Sequence, residues 1–271
     1  MGKKTRPLQV IRMKPSQSLE LSTALHAAQE ATAILLSYYK AGHAGEVVHK
    51  GKVDRVSQAD LDSEKAMRSI LSEAFPGYSI KGEELGESKK ESEYTWYIDP
   101  LCGSNDFIRG FAEFGLSIAL IKNEELILGV CSLPAFQEIY YAEKGFGAYI
   151  NDEKISVSSV SNLNDSIITT HVSAKVEEVG KPIKLFEKLV SASYVKVPGS
   201  FPYAVCSLAK GSSEAHVEMN VAGIHSLAAR LIAEEAGAKS SKIDGSPLNI
   251  YDEEVLITNG LVHGELLELF N

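Results

Sequence analysis

Tyr94-Thr95-Trp96-Tyr97-Ile98-Asp99-Pro100-Leu101-Cys102-Gly103-Ser104-Asn105-Asp106-Phe107-Ile108-Arg109-Gly110 decides the reading of this chain. Its first five residues are aromatic or β-branched and predict a strand. Upstream, Leu21, Leu25, Ala28, Ala31, Leu35 and Leu36 recur near helical spacing, so a helix is expected from Ser16 or Ser18 to about Lys40. After a glycine-rich break (Gly42, Gly45, Gly51), Leu61, Ala66, Met67, Ile70 and Leu71 mark a second helix over 58–74, ended by Pro76-Gly77. Downstream, 115–121, 126–132 and 139–142 read as strands between polar turns, and 145–154 as a strand with a tight turn. Strands at 167–170, 194–197 and 215–219 then alternate with helices at 183–190, 203–210 and 226–236, the rhythm of an α/β layer.

The 271 residues are 44% hydrophobic, enough for one large domain or two fused halves. A net charge of −9 argues against nucleic acid as a partner. No apolar run approaches the roughly 20 residues of a membrane span, and the basic N-terminus lacks the apolar segment of a signal peptide. Residues 1–16 read as a mobile arm. Cys102, Cys131 and Cys206 lie far apart, without metal-site or redox spacing, which suits reduced thiols in a cytoplasmic protein. Cys131 and Cys206 sit in apolar contexts and read as packing residues.

Five stretches, in order, carry a family resemblance. They are Asp54-Arg55-Val56-Ser57-Gln58-Ala59-Asp60, then Gly82-Glu83-Glu84, then the stretch from Trp96 to Phe107. A glycine-rich run from Gly129 through Pro134, Gly145 and Gly147 to Asn151 follows, and Ile224-His225-Ser226 through Glu234-Glu235-Ala236-Gly237 closes the set. Together they resemble the inositol monophosphatase family. The resemblance implies a layered α-β-α-β-α sandwich of the sugar phosphatase type, with an α+β half over 17–150, an α/β half over 151–271 and the site between them. It also implies a homodimer and a small phosphorylated metabolite as ligand.

The implied chemistry is metal-assisted hydrolysis of a phosphomonoester, in which Mg²⁺ ions bind the attacking and leaving oxygens. Carried over by position, one Mg²⁺ site uses Glu83, Asp99 and the carbonyl of Leu101. Ser104 activates water with Asp54 nearby, and Gly103 and Ser104 bind phosphate through backbone N–H groups at a helix start. Gly199 and Ser200 lie in the substrate region. Glu218 falls on the carboxylate that contacts a substrate hydroxyl, while Phe201 stands where a small residue is usual.

The departures concern the second metal site, which the resemblance assigns to Asp99 and the residues at 102 and 225. Cys102 replaces an aspartate. Counted without a gap from Glu235, His225 replaces another; a gapped alignment also leaves no aspartate there. Thiol and imidazole do not suit Mg²⁺, and two charges have left the cluster. Three readings stay open: a phosphatase with one Mg²⁺ (or Mn²⁺), in which His225 protonates the leaving alkoxide; a softer ion such as Zn²⁺ on Cys102, His225, Asp99 and Glu83; or an inactive member that binds a phosphorylated ligand or a protein. Inositol 1-phosphate and fructose 1,6-bisphosphate are the substrate types implied, and a nucleotide or sulfur-pathway substrate is a further option. Read without the resemblance, Asp60 is a helix cap, Gly82-Glu83-Glu84 a solvated acidic loop, and His225 a polar residue in a first helical turn.

Overall fold

The computed structural model describes residues 18–51, 55–171, 180–221 and 223–270. The arm read at 1–16, and Asp54, lie outside them.

Two helices form the first layer. Helix α1 (Leu19–Ala41) starts where the Ser18 hydroxyl accepts the Leu21 N–H at 3.0 Å. It ends at Gly42, whose left-handed backbone (φ 72°) closes the last turn. The stretch expected to be a loop instead pairs β1 (Val47–His49) with β2 (Arg55–Ser57). Three exposed residues in β1 offered no alternating pattern to read. Helix α2 (Gln58–Ala74) follows directly.

An eight-stranded sheet is the second layer. It comprises β3 (Ser79–Gly82), β4 (Glu87–Ser88), β5 (Tyr94–Cys102), β6 (Gly115–Lys122), β7 (Glu125–Leu133), β8 (Glu138–Glu143), β9 (Ala148–Ile150) and β10 (Glu153–Lys154). The order is β10-β9-β8-β7-β6-β5-β3-β4. Short helix α3 (Ser104–Ile108) leaves the end of β5. The sheet is antiparallel except for β3 and β5, which run parallel with Gly82 opposite Ile98.

The second sheet contains β11 (Ile167–His171), β12 (Tyr194–Lys196), β13 (Ala215–Met219), β14 (Lys239–Ser241) and β15 (Glu254–Thr258). Helices α4 (Gly180–Ala192), α5 (Phe201–Ala209), α6 (Gly223–Glu235) and α7 (His263–Phe270) complete the chain. The strand order is β12-β11-β13-β15-β14, with β11 parallel to β12 and β13 and β15 antiparallel to β13 and β14.

Three apolar clusters weld five layers. Leu25, Leu35, Met67 and Leu71 of α1 and α2 pack on Trp96, Ile98 and Ile118. Val205, Leu208, Ala228 and Ile232 of α5 and α6 fill the space between the sheets, where Cys131 and Cys206 are also buried. Leu185 and Leu189 of α4, Leu266 of α7 and Val262 just before it cover the outer face of the second sheet. The architecture is the α-β-α-β-α sandwich expected from the sequence. Among the described residues, no helix is long and apolar enough to cross a membrane.

The depth of α6 is set by a glycine. A Cβ on Gly129 of β7 meets the Ala228 carbonyl oxygen at 2.5 Å, so the helix backbone rides directly on the strand. Gly129→Val should cost about 2 kcal/mol or more through overpacking. A lowered thermal midpoint checks this; an unchanged one contradicts the close approach.

Candidate active site

Parallel register builds the acidic centre. Gly82 pairs with Ile98, and the Glu83 N–H donates to the Ile98 carbonyl at 3.2 Å. The next residues on the two strands, Glu83 and Asp99, therefore emerge side by side. The register of β5 with β6 then shifts between Asp99 and Cys102. Such a bulge re-aims side chains at the end of a strand. It leaves Asp99 completely buried, its Oδ1 accepting the Leu101 N–H at 3.1 Å, while Leu101, Cys102 and Ser104 face a cleft of about 1030 Å³.

His225, in the first turn of α6, comes from between the sheets. Its Nδ1 lies 2.6 Å from Asp99 Oδ2 and 3.9 Å from Glu83 Oε2. Ala228, one turn further along α6, is buried against Gly129. Ligand atoms of Asp99, Cys102 and His225 all lie within 4.8 Å of one another.

The electrostatics follow from crowding. Burial, then the adjacent Asp99 charge, push the Glu83 carboxyl up to about 9, with His225 opposing. Burial and Asp99 push the Cys102 thiol up to about 12. Burial works against a charged His225, but the Asp99 carboxylate outweighs it and holds the imidazole well above its usual range.

The hydroxyl of Ser104 lies 2.9 Å from both Leu101 O and Asp60 Oδ1, its single proton serving one at a time. Asp60 Oδ2 also accepts the Ser57 N–H at 2.8 Å, so the residue read as a cap is at once a cap and the described carboxylate partner of Ser104. Gly103 has φ 91°, and a Cβ there meets Gly199 O at 3.0 Å and Ser200 Cβ at 3.2 Å. This packing brings Gly199 and Ser200 into the same cleft wall. Ser200 also caps α5.

Glu218 of β13 faces the cleft from the second sheet. Two residues that the sequence reading passed over organise this surround. His216 is buried, with Nε2 3.2 Å from Glu218 Oε2, Nδ1 3.0 Å from Thr169 Oγ1 and its ring edge-on to Phe201. The buried Glu64 carboxylate accepts the Glu84 N–H at 2.7 Å, the Leu85 N–H at 3.1 Å and Arg68 Nε at 2.8 Å, clamping the turn that carries Glu83. Period-two alternation in β13 places 216 and 218 on one face, a signal available in the sequence. Glu64 lies one turn beyond Asp60 on α2, but nothing in sequence ties it to residues 84 and 85.

Glu83, Asp99 and the Leu101 carbonyl offer three hard oxygens, which fit Mg²⁺. The trio Asp99, Cys102 and His225 offers oxygen, sulfur and nitrogen, and does not.

A five-layer sandwich with a carboxylate-lined cleft between its halves defines the layered phosphatase fold. The chain belongs to the inositol monophosphatase family, which matches residues 17–271. A Thermotoga maritima relative named fructose-1,6-bisphosphatase/inositol-1-monophosphatase is 31% identical over 243 residues, covering 86% of this chain and 92% of its own. An inositol monophosphatase of Dictyostelium discoideum is 29% identical over 259 residues, covering 92% and 94%. The crystal structure of extragenic suppressor protein suhB from Bartonella henselae superposes with TM-score 0.90 at 26% identity, over 94% of this chain and 99% of that one.

Two outcomes test this geometry. Glu64→Ala strands Arg68 and two amides and should cost about 3 kcal/mol, read by urea denaturation; a loss near zero contradicts the clamp. Glu83 and His225 bind protons more tightly folded than unfolded, where they titrate near 4.5 and 6.5. Their contribution is complete below those values and is lost as pH rises through the folded ones. The metal-free protein's urea midpoint should therefore fall from pH 6.5 to 9, and fall less in Glu83→Gln. A midpoint that holds or rises contradicts the electrostatics.

Proposed function

We propose that the chain is a metal-dependent phosphomonoesterase acting on a small phosphorylated sugar or inositol. One observation carries the reading: Glu83 and Asp99 stand side by side at a cleft that also holds the Ser104 hydroxyl, itself bonded to the Leu101 carbonyl. Two crowded carboxylates that hold Glu83 near 9 form a place where a divalent cation is favoured.

Glu83, Asp99 and the Leu101 carbonyl would hold Mg²⁺ or Mn²⁺, whose chemistry there would be charge stabilisation of the phosphoryl oxygens. The chain's own groups do the rest. Ser104, polarised by Asp60, orients water at the mouth of the cleft. Gly103 and Ser104 present backbone beside the position of the ester. Glu218, its carboxylate fixed by His216, accepts a hydroxyl of the sugar or inositol. Phe201 packs on His216 at that end and narrows it. Asp54, outside the described residues, keeps the water-activating role that the resemblance implies. His225 has two competing roles at Nδ1, proton donor and metal ligand.

The contact between His225 and Asp99 also favours a second reading, a member that binds a phosphorylated ligand without turnover, because imidazolium neutralises a carboxylate that the cation needs.

Phosphate release from inositol 1-phosphate and fructose 1,6-bisphosphate, each with Mg²⁺, Mn²⁺ and Zn²⁺, separates the two. Turnover that falls on the order of 100-fold or more in Asp99→Asn is the expected result, since a metal ligand has been removed. Saturable binding of both esters with no turnover under any ion establishes the second reading instead.

A further inference from the structure

The second cation position of the resemblance does not fit Mg²⁺. From that disagreement we infer that Asp99, Cys102 and His225 form a site for a borderline-soft divalent ion of the Zn²⁺ class, open on one side to the cleft. The inference stands apart from the phosphatase reading, because the site is defined by its donors and not by turnover.

Three observations support it. The donors are one carboxylate oxygen, one thiol sulfur and one imidazole nitrogen, with all ligand atoms within 4.8 Å of one another. Thiolate and imidazole prefer later first-row metals, whereas Mg²⁺ requires an octahedron of oxygens. The donors are also mounted on defined elements of the fold. Asp99 and Cys102 flank the bulge at the end of β5, and His225 sits in the first turn of α6, whose depth is fixed by Gly129. Finally, Cys102 and His225 line the cleft, while Asp99 is buried behind them. Three protein ligands with a solvent-facing fourth position are the pattern of catalytic zinc, whereas structural zinc sites are closed by four.

The carboxylate–imidazole pair needs little movement. Zinc bonds of about 2.0 Å to nitrogen and oxygen and about 2.3 Å to sulfur place tetrahedral ligand atoms roughly 3.3–3.8 Å apart. The pair His225 Nδ1 and Asp99 Oδ2, at 2.6 Å, has only to open by about 0.7 Å. Glu83 Oε2, at 3.9 Å from His225 Nδ1, lies near enough to serve as the fourth donor when no ligand fills that position. Binding exchanges the protons of the thiol and the imidazolium for the metal, both released to solvent. Asp99 belongs to both donor sets, while Cys102 and His225 belong to the soft one alone.

The test uses the full chain, stripped with a chelator and titrated with Co²⁺ and Zn²⁺ in buffer containing excess Mg²⁺. Co²⁺ bound by thiolate gives a near-ultraviolet charge-transfer band, which reports sulfur ligation without any assay of activity. One equivalent of Co²⁺ with that band is expected, displaced by Zn²⁺ and not by Mg²⁺. Cys102→Ser should abolish the band, and His225→Ala should weaken Zn²⁺ binding on the order of 100-fold. Cys102→Asp with His225→Asp should lose the band and bind Mg²⁺ more tightly. X-ray absorption of the Zn²⁺-loaded unsubstituted protein needs no variant to fold, and should show one sulfur neighbour at about 2.3 Å. A Co²⁺ complex without the band, a band that survives in Cys102→Ser, or zinc with only oxygen and nitrogen neighbours overturns the site. If phosphatase activity is absent while the band and the sulfur neighbour are present, the proposed function fails and this site stands.

Discussion

The contact between Asp99 and His225 is the point on which the centre of the molecule depends. It joins the end of β5, in the first sheet, to the start of α6, the helix wedged between the sheets. Asp99 has no exposure, so its charge has to be met from inside the protein. The Leu101 amide meets one oxygen and the imidazole the other. Everything that gives the cleft its chemistry is placed relative to this carboxylate: Glu83 through the parallel pairing of Gly82 with Ile98, Cys102 through the bulge, Ser104 through the turn that follows.

A buried acid next to a second acid is unstable unless a cation is near. Oxygen-only ligation answers that need with metal alone. Here the chain supplies part of the answer itself. His225 brings a positive charge against Asp99, and Cys102 brings a thiol that burial keeps protonated until a metal displaces the proton. The site can therefore stand without an ion in a way that an all-carboxylate cluster cannot. Its donors also differ in type, with hard oxygens at Glu83 and Leu101 and softer donors at Cys102 and His225.

Much of this was legible in the sequence. The strand from Tyr94, the helix over 58–74 and strand Ala215–Met219 follow from period and propensity, which are local properties. The five-layer arrangement came from the family resemblance, which carries long-range information that periodicity lacks. What stayed hidden depends on pairings between distant residues. No local rule shows that Asp60, 44 residues before Ser104, shares its hydroxyl, or that Glu64 clamps amides 20 and 21 residues away. Strand β1 is three exposed residues without alternation, and β14 is equally short, so both form only because a partner strand is present. His216 stands in no ligand spacing along the chain, and its place appears only once Thr169 and Glu218 surround it.

Anomalous diffraction from a crystal soaked in Mn²⁺ tests the central claim most directly. The account predicts a peak about 2.0–2.6 Å from oxygens of Glu83 and Asp99 and from the Leu101 carbonyl. A map with no peak there, and His225 still seated against Asp99, would contradict it.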